Sequence, residues 1–211
     1  MTYIDIHTHQ HYSDATEYIY NAFLEKDHLP ACYSLGIHPW YVTQPARQLQ
    51  QLQELLEQLP DTAFVGECGL DKLCDIPWDN QLQVFSAQIQ LARRFHKPII
   101  IHCVKAYQEC LALLKGCEVP VVFHGFNKHV ALAWQIVSQG HYLSLGHGVV
   151  RHPERYTELL QQISLQYILL ETDQCAVPVA TVYTAVASIL KIEPDDVILQ
   201  IQKNYTKIIN F

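Results

Sequence analysis

Two histidines near the start of the chain, His7 and His9 in the stretch DIHTH, have the spacing of a metal-binding pair. Ile4 and Ile6 alternate with polar neighbours, which predicts a strand. Side chains two positions apart on a strand point to the same face, so the two imidazoles would lie side by side. A purification tag would be an unbroken run of histidine, which this stretch is not. We therefore interpret the pair as metal ligands, a common role of neutral imidazole.

Other imidazoles and carboxylates follow predicted strands later in the chain. They are Glu67 in FVGECGLD, His102 in PIIIHC, His124 in PVVFHG and Asp173 in YILLETD. Any one of them alone has an ordinary explanation, since a single histidine is usually a hydrogen-bonded structural residue and a single aspartate often caps a helix. Their common position at the carboxyl ends of predicted strands instead predicts one metal site built from all of them together with His7 and His9.

The types of ligand restrict the chemistry of this site. Imidazole with carboxylate favours zinc, manganese, iron or magnesium over copper(I), which prefers sulfur. Four histidines and two carboxylates exceed what one tetrahedral ion needs, so we predict two divalent ions that share Glu67 as a bridge. Such ions would lower the pKa of a bound water and hold the oxygens of a scissile ester. Asp173 would bind one ion and accept the proton of that water, so Glu67 and Asp173 are the predicted catalytic residues.

The elements that must position these residues alternate along the chain between short apolar runs and amphipathic stretches. The predicted strands are 3–8, 17–22, 31–37, 62–67, 98–102, 119–124, 141–145 and 166–172. The predicted helices are 46–58, 79–95, 105–115, 129–139, 153–163, 180–190 and the end of the chain. This alternation predicts an α/β fold, a (β/α)8 TIM-type barrel with the metal site at the carboxyl ends of its strands. Because strand 17–22 is weak and the connections near 10–30 are short, an incomplete or distorted barrel is the alternative.

Length and composition restrict the class of protein further. A chain of 211 residues can bury its own core, so we expect a single hydrolase domain over residues 1–211. Its seven cysteines form no CxxC pair, which suits reduced thiols. With no leader and no apolar run long enough for a bilayer, we predict a cytoplasmic protein without membrane contact. The net charge of −7 argues against tight binding of duplex DNA through its phosphates. We expect a monomer with no obligate protein partner.

The motifs also occur together, in this order, in a known family. They are DIHTH, GIHP at 36–39, VGECGLD at 65–71, the segment 83–103, VFHGF at 122–126, YLSLG at 142–146, LLETD at 169–173 and NYTKI at 204–208. The chain resembles the TatD family of metal-dependent deoxyribonucleases, within the amidohydrolase-like barrels. The resemblance implies a (β/α)8 barrel, a divalent metal centre and hydrolysis of phosphodiester bonds in DNA. It also implies metal ligands at His7, His9, Glu67, His102, His124 and Asp173.

The chain departs from this family where substrate phosphates would be held. Val104 and Lys105 follow the HC of PIIIHC, where family members often carry an arginine. After ETD the chain has QCAVPVATVY in place of the prolines, arginine and Asn-Glu-Pro stretch that often stand there in the family. We therefore keep two alternatives to a deoxyribonuclease. One is a metal hydrolase of the same fold acting on an ester or amide outside nucleic acids. The other is a metal-binding relative without catalytic activity.

Several residues outside the ligand set have alternative interpretations. His38 in GIHPW would contact substrate or support a ligand, or else form a hydrogen bond in the core. Lys105 would hold a substrate phosphate, or else be an exposed lysine at a helix start. Asp71 would hydrogen-bond a ligating imidazole or cap a helix. Trp40 and Trp78 would stack on a base or else seal the core. We interpret five further histidines as surface or turn residues, namely His96, His129, His141, His147 and His152.

Overall fold

The computed structural model describes residues 2–11, 17–24 and 28–211. Within these residues the strands are β1 (Ile4–Thr8), β2 (Glu17–Asn21), β3 (Tyr33–Leu35), β4 (Phe64–Asp71), β5 (Ile99–Val104), β6 (Val121–Phe123), β7 (Tyr142–Leu145) and β8 (Ile168–Leu170). The helices are α1 (Pro45–Gln58), α2 (Trp78–Arg94), α3 (Tyr107–Leu113), α4 (Val130–Val137), α5 (Gly148–Arg151), α6 (Pro153–Gln162), α7 (Val179–Leu190) and α8 (Pro194–Ile209). Each predicted strand and helix has its counterpart, whereas the short α5 was not predicted.

The chain forms two compact units, which we call the terminal unit (Met1–Ile19 with Val122–Phe211) and the middle unit (Tyr20–Val121). In the middle unit β2, β3, β4 and β5 pair in that order, and every pair is parallel. In the terminal unit β6, β7 and β8 pair in the same way, and a parallel bridge between Thr8 and Asp173 places β1 beside β8. Parallel neighbours joined through helices are the predicted βα repeats. The single domain over residues 1–211 remains a prediction.

Two strands carry polar side chains into the interior. Every residue of β1 and of β4 is buried, as expected for parallel strands that are covered on both faces. Asp5 and His7 on β1, and Glu67 and Asp71 on β4, are at most 3% exposed. Burial of such groups is unfavourable unless they are hydrogen-bonded, ion-paired or bound to a metal. The partners of these four buried side chains therefore identify the groups that β1 and β4 hold in place.

Helix α2 fixes the ends of two strands with a pair of buried glutamines. Gln88 accepts a hydrogen bond from the backbone N–H of Ile37 at 2.8 Å and donates to the Ile37 carbonyl oxygen at 3.1 Å. Gln81 pairs in the same way with the backbone of Asp71, at 2.9 and 3.1 Å. The two glutamines are seven residues apart and so lie on one face of the helix. This face holds the chain beside His38 and at the end of β4.

The strand β4 differs from its prediction in a way that matters for Glu67. We expected Glu67 at the end of a strand over 62–67, but β4 continues to Asp71, so Glu67 lies inside the strand. The pairing of β4 with β5 shifts register between Val65 and Cys68. A bulge of this kind re-aims a side chain within a strand that continues beyond it. The prediction of a strand end at Glu67 is therefore wrong.

Two other expectations concern the connections near 10–30 and the absence of membrane contact. The irregular connections near 10–30 lie partly outside the described residues. Across 2–11, 17–24 and 28–211, no helix combines the length and the apolar character that a bilayer crossing requires.

Candidate functional site

The terminal unit brings together four of the predicted ligands, His7, His9, His124 and Asp173, which we call the terminal cluster. The backbone sets three of them. The N–H of His9 donates to the carbonyl oxygen of Asp173, and the N–H of Asp173 donates to that of His7, both at 3.0 Å. His124 follows β6, and its ring centroid lies 4.5 Å from that of His7. His7 is fully buried, whereas the Asp173 side chain is 41% exposed.

The spacing of these donors suits a shared ion. Asp173 Oδ1 lies 3.7 Å from His7 Nε2 and 3.4 Å from His9 Nε2, beyond the usual N–H···O distance of about 2.7–3.2 Å. Two ligands each about 2.1 Å from one tetrahedral ion are separated by about 3.4 Å. One ligand atom each of His7, His124 and Asp173 also lie within 4.8 Å of one another. The residues of this cluster therefore fit a divalent cation.

A buried carboxylate behind His124 was missed by the sequence analysis. Glu171 Oε1 accepts a hydrogen bond from the backbone N–H of Gly125 at 2.8 Å and lies 3.4 Å from His124 Nδ1. Ligating histidines commonly have a carboxylate at the ring nitrogen that does not bind the metal, which fixes the orientation of the ring. The available signal was the two-residue spacing of Glu171 and Asp173 in ETD, which puts both on one face of an extended segment.

Asp5 holds the segment that carries Asp173. Its carboxylate accepts hydrogen bonds from the backbone N–H of Thr172 at 3.0 Å and from the Thr172 hydroxyl at 2.6 Å. Burial raises the pKa of Asp5 to about 7, although the bonds from Thr172 act in the opposite direction. The carboxylate thus joins β1 to the residue that immediately precedes Asp173.

The middle unit brings together His38, Glu67 and His102, which we call the middle cluster. Glu67 Oε1 lies 2.9 Å from His102 Nδ1 and 3.2 Å from His38 Nε2. Asn21, at the end of β2, donates from Nδ2 to Glu67 Oε2 at 3.2 Å and accepts from the Glu67 backbone N–H at 3.1 Å. The three side chains offer ligand atoms within 4.8 Å of one another. One carboxylate thus lies between two imidazoles and an amide.

The tautomer of His38 follows from its second contact. The backbone N–H of Trp40 donates to His38 Nδ1 at 3.1 Å. In a neutral imidazole the proton must then lie on Nε2, which faces Glu67. His38 is 5% exposed, and the structure places it against the carboxylate of Glu67, so that it can donate a hydrogen bond and hold the carboxylate in position.

Asp71 contacts an imidazole of the middle cluster, which was one of its two alternative roles. Its Oδ2 accepts from the indole Nε1 of Trp40 at 2.6 Å and lies 3.2 Å from His102 Nε2. Burial acts to raise the pKa of Asp71, but the hydrogen bonds from Trp40 and Leu73 and the neighbouring His102 outweigh it and lower that pKa. The helix-cap alternative is wrong, because α2 begins at Trp78 with Pro77 before it.

Two other residues that the sequence analysis named belong to neither cluster. Lys105, the second predicted substrate-binding residue, is exposed, directly follows β5, and adopts a positive φ of 54°. His141 comes just before β7 and is only 4% exposed, with its ring 6.2 Å from that of Phe123. The prediction of a surface histidine at 141 is therefore wrong, although its place beside a turn agrees with the sequence.

Comparison with known proteins identifies the fold first. The crystal structure of the TatD homologue YjjV from Escherichia coli K12 matches with a TM-score of 0.84 at 23% identity, over 99% of this chain and 98% of that chain. A TatD family hydrolase from Entamoeba histolytica matches with a TM-score of 0.81 at 15% identity, over 98% and 97% of the two chains. The predicted (β/α)8 fold is thus confirmed.

The family follows from sequence. The family model described as TatD related DNase matches residues 7–210, so the chain belongs to this family. The uncharacterized metal-dependent hydrolase YjjV of Escherichia coli K12 is 30% identical over 162 residues, 74% of this chain and 62% of the relative. The 3'-5' ssDNA/RNA exonuclease TatD of Escherichia fergusonii is 31% identical over 155 residues, 69% of this chain and 59% of the relative. The chain therefore spans about three fifths of these relatives' length.

Proposed function

We propose that this protein is a divalent-metal-dependent hydrolase that cleaves phosphodiester bonds in single-stranded DNA. The observation that carries the proposal is the donor geometry of the terminal cluster, in which Asp173 faces two histidines at 3.4 and 3.7 Å. Membership of the TatD related DNase family supports it, as does the name of the Escherichia fergusonii exonuclease. The substrate class rests on these relatives.

Two divalent ions, zinc, magnesium or manganese, are the proposed cofactors. The terminal cluster would hold one ion through His7, His9, His124 and Asp173, and the middle cluster would hold the other through Glu67 and His102. Glu67 as a bridging ligand remains a prediction. The ions would supply Lewis-acid catalysis by acidifying water and neutralising charge on the phosphate.

The chain's own residues would carry the proton and orient the ligands. Asp173 is exposed enough for its carboxylate to accept the proton of the attacking water. His38 Nε2–H would donate to Glu67 and keep its Oε1 directed at His102. Lys105, at the end of β5, would contact a phosphate of the substrate as a point charge. A monomeric state and a cytoplasmic location stay predictions.

A second candidate function is hydrolysis of a small ester or amide at the same residues. The net charge of −7 favours it, because a polyanionic substrate is repelled by an acidic protein. Both candidates need the terminal cluster, so removal of a ligand does not separate them. The choice of substrate does.

The test assays the metal-loaded protein on labelled single-stranded DNA, on bis(p-nitrophenyl) phosphate and on p-nitrophenyl acetate. We expect cleavage of DNA and a loss of at least about 100-fold in Asp173→Asn, since proton transfer contributes about 10²–10⁴-fold to such reactions. Asp195→Asn makes the same change at an exposed carboxylate in the first turn of α8 and should keep full activity. Cleavage of the carboxylic ester alone would favour the second candidate. DNA cleavage that survives in Asp173→Asn would reveal a contaminant and contradict the proposal.

A further inference from the structure

Trp40 is a large aromatic side chain that the fold leaves half in water. It lies in the 3-10 turn Pro39–Tyr41, and 47% of its surface is exposed. A tryptophan that sealed the core would be buried, so that alternative does not hold here. Tryptophan is enriched at interfaces, where its apolar ring packs against a partner and its N–H forms a hydrogen bond.

The indole is nevertheless held in place from its polar edge. Nε1–H donates to Asp71 Oδ2 at 2.6 Å, and the same carboxylate accepts from the backbone N–H of Leu73 at 2.7 Å through Oδ1. The carboxylate therefore fixes the indole and the start of the loop after β4 together. An anchored ring loses little conformational freedom when a ligand binds to it, which favours binding.

Trp40 also lies directly beside the middle cluster. Its ring centroid is 4.9 Å from that of His38 and 5.7 Å from that of His102, both in edge-to-face arrangements. A flat group could stack on the exposed part of the indole. Only a short linker would then separate it from the carboxylate and imidazoles that are proposed to act on a phosphodiester. In a nucleotide, base and phosphate are joined by one sugar.

We propose that Trp40 is a stacking platform for one unpaired nucleobase of the substrate, next to the scissile phosphate. This inference rests on the proposed function and refines it, because it adds a contact between one base of the single strand and a residue beside the middle cluster. Stacking on an aromatic ring tolerates every base, so the platform would give affinity without sequence preference. A base in a duplex is already stacked and paired, and would have to leave the helix before it reached Trp40.

The test is a double-mutant cycle between Trp40 and single bases of the substrate. The substrates are five-nucleotide thymidine oligomers, either intact or with a tetrahydrofuran abasic residue at each position in turn. At one position, removal of the base should raise the KM of the wild type by about 5- to 150-fold. In Trp40→Ala the KM for the intact oligomer should rise by the same factor as removal of that base raises it in the wild type. Removal of the base should then have no further effect on the KM of Trp40→Ala.

Two further variants separate stacking from structure. Trp40→Phe keeps an aromatic face but loses the hydrogen bond to Asp71, so it should retain most of the dependence on that base. Trp134→Ala truncates an equally exposed tryptophan on α4 and should behave as the wild type. Circular dichroism and thermal melting confirm that each variant is folded.

The outcomes separate this inference from the proposed function. No cleavage of any oligomer by the wild type would overturn both. Cleavage with the same dependence on bases in Trp40→Ala as in the wild type would overturn only the platform. Equal losses in Trp40→Phe and Trp40→Ala would also overturn it, because the effect would then act through Asp71 and His102.

Discussion

Carboxylates lie beside imidazoles in both clusters. Glu67 and Asp71 lie on either side of His102, and Glu171 lies beside His124. The sequence indicated the ligand-type residues, because histidines and acids recur after apolar runs. It did not single out Glu171, because its two-residue spacing from Asp173 predicts only a shared face of the segment, and the fold is needed to show that its oxygen lies near an imidazole. The supporting carboxylates were thus harder to recognise than the ligand-type residues, since Glu171 was missed and Asp71 was named only as one of two alternatives.

The role of Glu171 gives the first prediction. Glu171→Gln keeps an acceptor oxygen for Gly125 N–H but removes the charge beside His124. The affinity for zinc should fall by about 10-fold or more, as is usual when a partner of a ligating imidazole is altered. Competition with a chromophoric chelator measures this without any assay of activity. Glu154→Gln, at a glutamate whose side chain is 69% exposed, is the control, and equal affinities in the two variants would contradict the assignment.

The buried imidazole of His141 gives the second prediction. Burial lowers the pKa of His141 to about 4 from an ordinary 6.5, so between these values the unfolded chain binds a proton that the folded chain does not. The free energy of unfolding should then decrease as pH falls from about 6.5 towards 4, by about 2 kcal/mol from this group at pH 5. His141→Phe should remove that part of the pH dependence.

Urea unfolding at pH 5 and pH 7 measures the difference. His152→Phe makes the same change at a histidine whose side chain is 52% exposed and should leave the pH dependence as in the wild type. A wild-type profile unchanged by His141→Phe would show that the imidazole titrates normally in the folded protein.

At the scale of elements, apolar runs located the strands well, because each βα repeat buries a short run flanked by turns. The end of β4 was predicted wrongly, because Gly66, Cys68 and Gly69 are small residues that carry no strong strand signal, while the actual strand runs through them to Asp71. The hydrogen bonds of Gln81 and Gln88 to the backbone also could not be predicted from the sequence. A glutamine on a predicted helix is usually interpreted as a solvent-facing residue, and only the packed structure shows that these two bind the backbone of Ile37 and Asp71.

The close approach of β4 and β5 gives the third prediction. Gly69 has a φ of 145°, and a Cβ there would lie 2.0 Å from the carbonyl oxygen of His102. Gly69→Ala must therefore displace β5 at the residue that carries an imidazole of the middle cluster. Gly140 also has a positive φ, 83°, but open space around its Cβ position.

These two glycines separate backbone strain from steric overlap. Gly140→Ala should destabilise by about 1–2 kcal/mol through its backbone conformation alone. Gly69→Ala should destabilise by at least about 2 kcal/mol more, because overlap with β5 is added to that strain. Urea titration of both variants gives the comparison. Equal destabilisation would mean that β5 moves aside without any further loss in the free energy of unfolding.

At the scale of the whole molecule, the ordered motifs were enough to predict the fold and the family, because a barrel of βα repeats places strand ends by simple alternation. What remained open was the substrate. The net charge of −7 shows that the surface as a whole does not attract a polyanion. If the protein acts on DNA, its affinity must come from a few local contacts and not from a basic surface. The contacts that we propose are the ions at the ligands, Lys105 and Trp40.

This charge balance predicts a shallow dependence on salt. For single strands the logarithm of the binding constant falls with the logarithm of salt concentration by about 0.7 for each phosphate neutralised by a protein cation. If Lys105 and one other such cation neutralise phosphates, raising KCl from 50 to 200 mM should raise the KM for a short single-stranded oligomer by less than about 10-fold. Measurements at fixed divalent metal concentration isolate this effect, and Lys105→Gln should make the slope shallower still. A protein that neutralised 6–10 phosphates would instead lose about 10³–10⁵-fold in affinity to duplex DNA over this range. A steep slope would thus require a basic track that neither the composition nor the two clusters provide.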